Sequence, residues 1–154
     1  MIDATEHVRS LWIPLREVGM LLPHVAVAEV GSYRVPVEQP DTPDWLLGTI
    51  DWRGQAVPVI SLELLCGDEL PANPVYSRLI IVNSVRVDSP VRHYAIVAAA
   101  LPRSVQIDSD IVDDFESCQL PAIHCRVYIG REQAIIPNLD YLQEMLEQHW
   151  LAAA

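Results

Sequence analysis

Short apolar stretches, some alternating with polar residues and some continuous, recur along the 154-residue chain between prolines and turns, and helical spacing sets in only near its end. In residues 25–30 the valines alternate with small or polar residues, which predicts a strand with one face buried. Residues 11–22 are broken by Pro14 and by Glu17-Val18-Gly19. They predict an edge strand, a turn near Arg16–Gly19 and a second strand running on through residues 25–30. Pro14 and Pro23 belong at edges or bulges, because proline cannot donate to a ladder. Residues 79–82 are all apolar, as in a strand covered on both faces, and strands at 93–101 and 105–107 follow. Cys125, Val127 and Ile129 share one face, and Gly130-Arg131-Glu132 turns the chain into a last strand at 134–136. Leu139, Leu142, Met145, Leu146 and Trp150 then fall at helical spacing behind Pro137-Asn138, a stop and a cap. This predicts a C-terminal helix near 139–150. The pattern as a whole predicts a mainly β chain whose sheets are closed or nearly so.

Residues 42–62, reading TPDWLLGTIDWRGQAVPVISL, carry the densest local signals. Thr42 suits a helix cap, Pro43 the first helical position and Asp44 the positive helix end, while Gly48 can end a helix in a left-handed conformation. A short helical turn at 43–47 is therefore expected, presenting Trp45, Leu46 and Leu47. A strand at 49–52, a tight turn at Arg53-Gly54 and a second strand at 55–62 complete the stretch. Farther on, residues 66–74 hold two prolines and a glycine and offer a boundary between two halves of one unit.

Gly48-Thr-Ile-Asp-Trp-Arg53-Gly54-Gln-Ala-Val-Pro58-Val-Ile-Ser-Leu62 resembles the signature of CheW-like domains, the adaptors of bacterial chemosensory signalling. In that family a glycine, an apolar strand and Arg-Gly lead into a second strand of the form apolar-Pro-apolar-apolar-x-Leu. Val27-Ala28-Glu29-Val30 is similar to the family's Val-x-Glu-apolar element. The resemblance implies two small SH3-like five-stranded β-barrels packed together, as one domain over residues 11–150 behind an N-terminal tail at 1–10. It also implies a non-enzymatic adaptor that couples the cytoplasmic tips of methyl-accepting chemoreceptors to the regulatory domain of a CheA-type histidine kinase. Val27, Glu29, Gly48 and Arg53 are the matched positions. Asp51 and Trp52 stand where the family favours Asn and a small aliphatic, so the expected protein-binding set is Val27, Glu29, Gly48, Asp51, Trp52 and Arg53.

Read from the residues alone, Arg53 is either an ordinary exposed turn arginine or the partner of Glu29 across two neighbouring strands. In the second case a bidentate guanidinium–carboxylate pair would fix the groove beside the helical turn. Trp45, Leu46 and Trp52 offer apolar anchors for a partner, with Trp45 and Leu46 equally suited to a core.

Charge and chemistry narrow the rest. The net charge of −11 repels phosphate backbones and anionic membrane surfaces, so nucleic acid is not an expected partner. No apolar run is long enough to span a membrane and no leader is visible, so a cytoplasmic protein without direct membrane insertion is expected. Cys66, Cys118 and Cys125 include no Cys-x-x-Cys, and His124 beside Cys125 points to the opposite strand face, so no metal is expected. The acidic run at 108–116 lacks the glycine and closing glutamate of a calcium loop and reads as a solvated turn. No nucleophile motif or phosphate loop occurs. No enzyme activity and no cofactor are expected. The alternative is a small-molecule-binding β-barrel or hydrolase with a carboxylate-lined pocket.

Overall fold

The computed structural model describes residues 8–70, 75–107, 112–117, 120–129 and 131–153. Its strands form two sheets. The first sheet holds β1 (Val8–Pro14), β2 (Gly19–Pro23), β8 (Arg103–Ile107), β9 (Val112–Ser117), β10 (Ile123–Ile129) and β11 (Glu132–Pro137), in the order β8-β1-β2-β11-β10-β9. The second holds β3 (Val27–Ser32), β4 (Leu46–Trp52), β5 (Gln55–Ile60), β6 (Arg78–Asn83) and β7 (His93–Ala98), in the order β3-β6-β7-β5-β4. Each sheet joins antiparallel pairs through one short parallel contact, β5 with β7 and β11 with β2. This mainly β arrangement is consistent with two SH3-like units, one of them six-stranded where five strands were expected.

The chain passes from the first sheet to the second through a 3-10 turn at His24–Ala26 and returns after Ala98. Residues 66–70 therefore lie between β5 and β6 of the same sheet and do not divide the molecule; residues 71–74 of that stretch fall outside the described part. Apolar alternation reports a strand's buried face but not which sheet owns it, so the crossing after Pro23 was not visible. β1 starts at Val8, inside the expected tail, and lies between β8 and β2, not at an edge. Pro14 is tolerated because it is the strand's last residue. The acidic stretch also differs from expectation: Val112–Ser117 pairs with β10 as a strand, while residues 108–111 lie outside the described part.

Three apolar clusters hold the sheets. The inner face of the second sheet packs Ile50, Trp52, Val57, Val59, Leu79 and Ile81. That of the first packs Trp12, Leu21, Cys125, Val127 and Ala134. The largest cluster lies between them and is completed by the C-terminal helix α2 (Leu139–Ala153), whose Leu142 and Leu146 meet Ile13, Met20, Ile60 and Ile96. Asn138 starts that helix, its Oδ1 accepting from the Tyr141 backbone N–H at 3.1 Å. Gln143 is fully buried on the same helix and donates from Nε2 to Ser89 Oγ at 2.7 Å and to the Val91 carbonyl at 2.9 Å. The helix is thereby tied to the β6–β7 connection by polar as well as apolar contacts.

A short helix α1 (Leu62–Leu65) follows β5, capped by Ser61 Oγ, which accepts from the Leu64 N–H at 3.1 Å. It buries a carboxyl: Glu63 is only 5% exposed, and neither carboxyl oxygen has a hydrogen-bond partner. Burial pushes the Glu63 carboxyl up to about 7 from 4.5; the Arg16 backbone opposes this most, the Asp68 charge adds to it, and the Arg16 charge opposes it. In the folded state the proton stays on to near neutrality, whereas the unfolded chain releases it near 4.5. Stability should therefore fall as pH rises through that window and level off above it. Between about pH 5 and about pH 8 the loss attributable to this group should be about 1–3 kcal/mol. Urea unfolding of the wild type and Glu63→Gln at both pH values checks this, the variant showing the smaller loss and the greater stability at the higher pH.

Candidate functional site

The β4–β5 hairpin closes on two residues of positive φ, Arg53 at 51° and Gly54 at 76°. Two such residues make a type I′ turn, whose twist matches that of the flanking strands. Trp52 pairs with Gln55 across it. Holding a non-glycine residue there costs about 1 kcal/mol, and the Arg53 side chain is engaged on both sides. Its guanidinium carbon lies 4.6 Å from the centre of the Trp52 ring, and its Nη2 donates to Glu29 Oε1 at 3.2 Å. The other carboxylate oxygen, Oε2, accepts from the Trp52 indole Nε1–H at 3.1 Å. The pair is thus not the bidentate one expected, since the carboxylate is shared between an indole and a guanidinium.

Nor do Glu29 and Arg53 sit on neighbouring strands. β3 and β4 are the two edges of the second sheet, and only the curl of that sheet brings Glu29 to the hairpin tip. Arg53 and Glu29 side chains are 66% and 42% exposed, so their ion pair contributes at most about 1 kcal/mol. Its value is positional: it holds a cationic group at a defined place on the surface.

Trp52 itself is buried, with Glu29 above it and His93 tilted against its ring at 4.7 Å between centroids. Burial pulls the His93 imidazole below its ordinary pKa, and the cations Arg92 and Arg53 add to that. Asp51 is exposed, and its backbone carbonyl accepts from Arg34 Nη1 at 2.8 Å, which places a second cation beside the tip. Arg34 and His93 were not foreseen. Nothing in the loop around Arg34 marks it, and His93 was legible only as the first residue of a strand, since the sheet that owns that strand is set by long-range pairing.

Val27 and Gly48 lie away from this cluster. Val27 is half-buried against the central core. Gly48 does not end a helix. Residues 43–46 make one turn, closed by the Leu46 N–H to the Pro43 carbonyl at 3.1 Å, and Leu46 already pairs with Ile60 as the start of β4. The helical signals of Thr42 and Pro43 lose to that strand pairing, and Trp45 and Leu46 are core residues. Gly48, at φ 142°, sits where the β4–β5 register shifts. A Cβ there would stand 2.3 Å from the Val37 carbonyl oxygen, and Val37 exchanges both backbone hydrogen bonds with Thr49. The glycine lets the 37–39 segment lie against the edge of β4. The first sheet carries a similar trio: Arg103 lies over the Trp12 ring at 5.1 Å and pairs with Glu132.

No group of three or more His, Cys, Asp or Glu side chains that could hold a metal occurs among the described residues, and Cys118 lies outside them. No helix among them is long and apolar enough to cross a membrane.

Two curled sheets sharing one helix-filled core, with an arginine fixed at a hairpin tip, define a class of small two-lobed β scaffolds. Within that class the family described as CheW-like domain matches residues 10–143, and the chain belongs to it. That family is one of non-enzymatic chemotaxis scaffolds. The fold is similar to the crystal structure of the scaffolding protein TtCheW from Thermoanaerobacter tengcongensis, with a TM-score of 0.72 and 21% identity over 87% of this chain and 86% of that one. No curated protein sequence matches the chain.

Gly48→Ala should destabilise the protein by about 2–4 kcal/mol, combining positive-φ strain with the clash at Val37. Chemical denaturation checks the size. A loss below about 0.5 kcal/mol would contradict the close approach described here.

Proposed function

We propose that the protein is a chemosensory adaptor that couples chemoreceptor tips to the regulatory domain of a CheA-type histidine kinase. The observation that carries this reading is family membership over residues 10–143 together with an exposed arginine held at the tip of the signature hairpin. The role is scaffolding. The protein presents fixed surfaces to two partners, so that the state of one biases the activity of the other.

The six singled-out residues then divide the work. Arg53 and Asp51 face the partner. Glu29 and Trp52 position Arg53, while Gly48 and Val27 maintain the strands beneath. Trp45, Leu46 and Trp52 are buried, so apolar contact comes from other residues. Val35 and Val37 are 84% and 67% exposed on the segment that runs along β4, and they supply such anchors beside the tip. The expected setting is the cytoplasm beneath receptor arrays, and an acidic chain of net charge −11 has no affinity for nucleic acid in this reading.

The test is binding to an immobilised CheA-type regulatory domain, wild type beside Arg53→Glu, with circular dichroism as the fold control. The substitution should weaken binding at least about tenfold in a still-folded protein, as expected of a residue at a contact centre. Equal binding by the two proteins, or none by the wild type, would count against kinase coupling through this surface.

A further inference from the structure

Glu63 and Arg126 line one cavity of about 240 Å³ at the seam between the two sheets. The walls between them are apolar, with Leu15, Leu62, Ile123 and Ile135 contributing. Glu17 and Asp68 also line it and are exposed, so the cavity reaches the surface.

The two inner ionisable groups both lack a partner among the described residues. Glu63 is 5% exposed and both of its carboxyl oxygens lack a hydrogen-bond partner. Native proteins rarely leave a buried carboxyl so, because its desolvation is then uncompensated. Arg16, whose charge and backbone both act on Glu63, is already engaged: its guanidinium pairs with Asp68 at 3.4 Å and Glu69 at 2.9 Å. Arg126, half-buried on β10, forms no hydrogen bond or ion pair among the described residues, and none joins it to Glu63. A carboxyl and a guanidinium therefore face one apolar space without meeting.

We propose that this cavity binds a small zwitterion of amino-acid size, its ammonium group on Glu63, its carboxylate on Arg126 and its apolar body between them. Such a molecule meets both groups at once, its ammonium favouring the ionised form of Glu63, whose proton passes to solvent, and its carboxylate pairing with Arg126. An amine alone would leave Arg126 unpaired, and an acid alone would leave Glu63 unpaired. The exposed carboxylates of Glu17 and Asp68 favour entry of the ammonium end and disfavour a simple anion.

The test is a backbone amide NMR titration of the full chain with L-leucine, with isoamylamine and 4-methylpentanoate as single-charge controls of the same apolar shape. Leucine should give saturable shifts centred on residues 62–66 and on Arg126, with a Kd of about 1 mM or below, and each control should bind at least about tenfold more weakly. Glu63→Gln and Arg126→Gln should each weaken leucine binding about tenfold or more while keeping a dispersed spectrum. Arg126, being only half-buried, provides the usable variant if Glu63→Gln does not fold. Absence of saturable shifts with leucine, controls that bind as well as leucine, or variants that titrate like the wild type would each overturn the proposal.

Discussion

The Glu29 carboxylate divides its oxygens between the Trp52 indole and the Arg53 guanidinium, and that division joins the two edges of the second sheet where its curl brings them together. Glu29 lies on β3 and the other two on the β4–β5 hairpin, at opposite edges of the strand order. No backbone ladder joins those edges among the described residues. Closure there is made by side chains, and it requires the sheet to curl until a glutamate reaches across. The indole brings most of the stabilisation, because Trp52 is buried among Ile50, Val57 and Ile81 and fills the sheet's interior. The arginine contributes little energy at its exposure but acquires a fixed orientation from the ring below it and the carboxylate beside it.

The same logic explains why the site sits on a hairpin tip that is costly to form. A type I′ turn accepts glycine easily at both centres, yet its first position here is an arginine with φ 51°. The conformation persists because β4, the strand leading into the turn, is pinned at Trp52 by burial and at Gly48 by the segment around Val37. On the first sheet Arg103 also lies over an indole, that of Trp12, and pairs with Glu132, but Glu132 is on the interior strand β11, so this contact places a cation without joining the two edges of that sheet. Between the lobes, α2 inserts Leu142 and Leu146 into a core to which both sheets contribute.

Much of this was legible in the sequence for identifiable reasons. Alternation marked the strands near 25–30, 105–107 and 125–129 and unbroken apolar runs marked others, the Arg53-Gly54 turn was recognised by its glycine, and α2 was marked by its apolar spacing and Asn138 cap. The grouping of Glu29 with Arg53 was anticipated, and the resemblance to CheW-like domains supplied the two-lobed architecture. What failed were questions local patterns do not encode. Which sheet a strand joins is decided by long-range pairing, so the crossing after Pro23 was invisible and the 66–74 loop was misjudged as a boundary. Thr42, Pro43 and Gly48 are good helix punctuation, yet pairing of Leu46 with Ile60 and the contact of Gly48 with Val37 turn the same residues into a strand with a bulge. Trp52 read as an exposed anchor because a hairpin neighbour is often exposed; alternation with Ile50 was the signal that placed it inside.

Hydrogen exchange of the Trp52 indole N–H, followed by NMR in the wild type and in Glu29→Ala, tests the side-chain closure most directly. Exchange should be slow in the wild type and accelerate by about tenfold or more in a still-folded variant, since the indole then loses its acceptor and the edge strand its hold. Equally slow exchange in both proteins would show that burial alone fixes Trp52 and that the Glu29 carboxylate does not hold the two edges together.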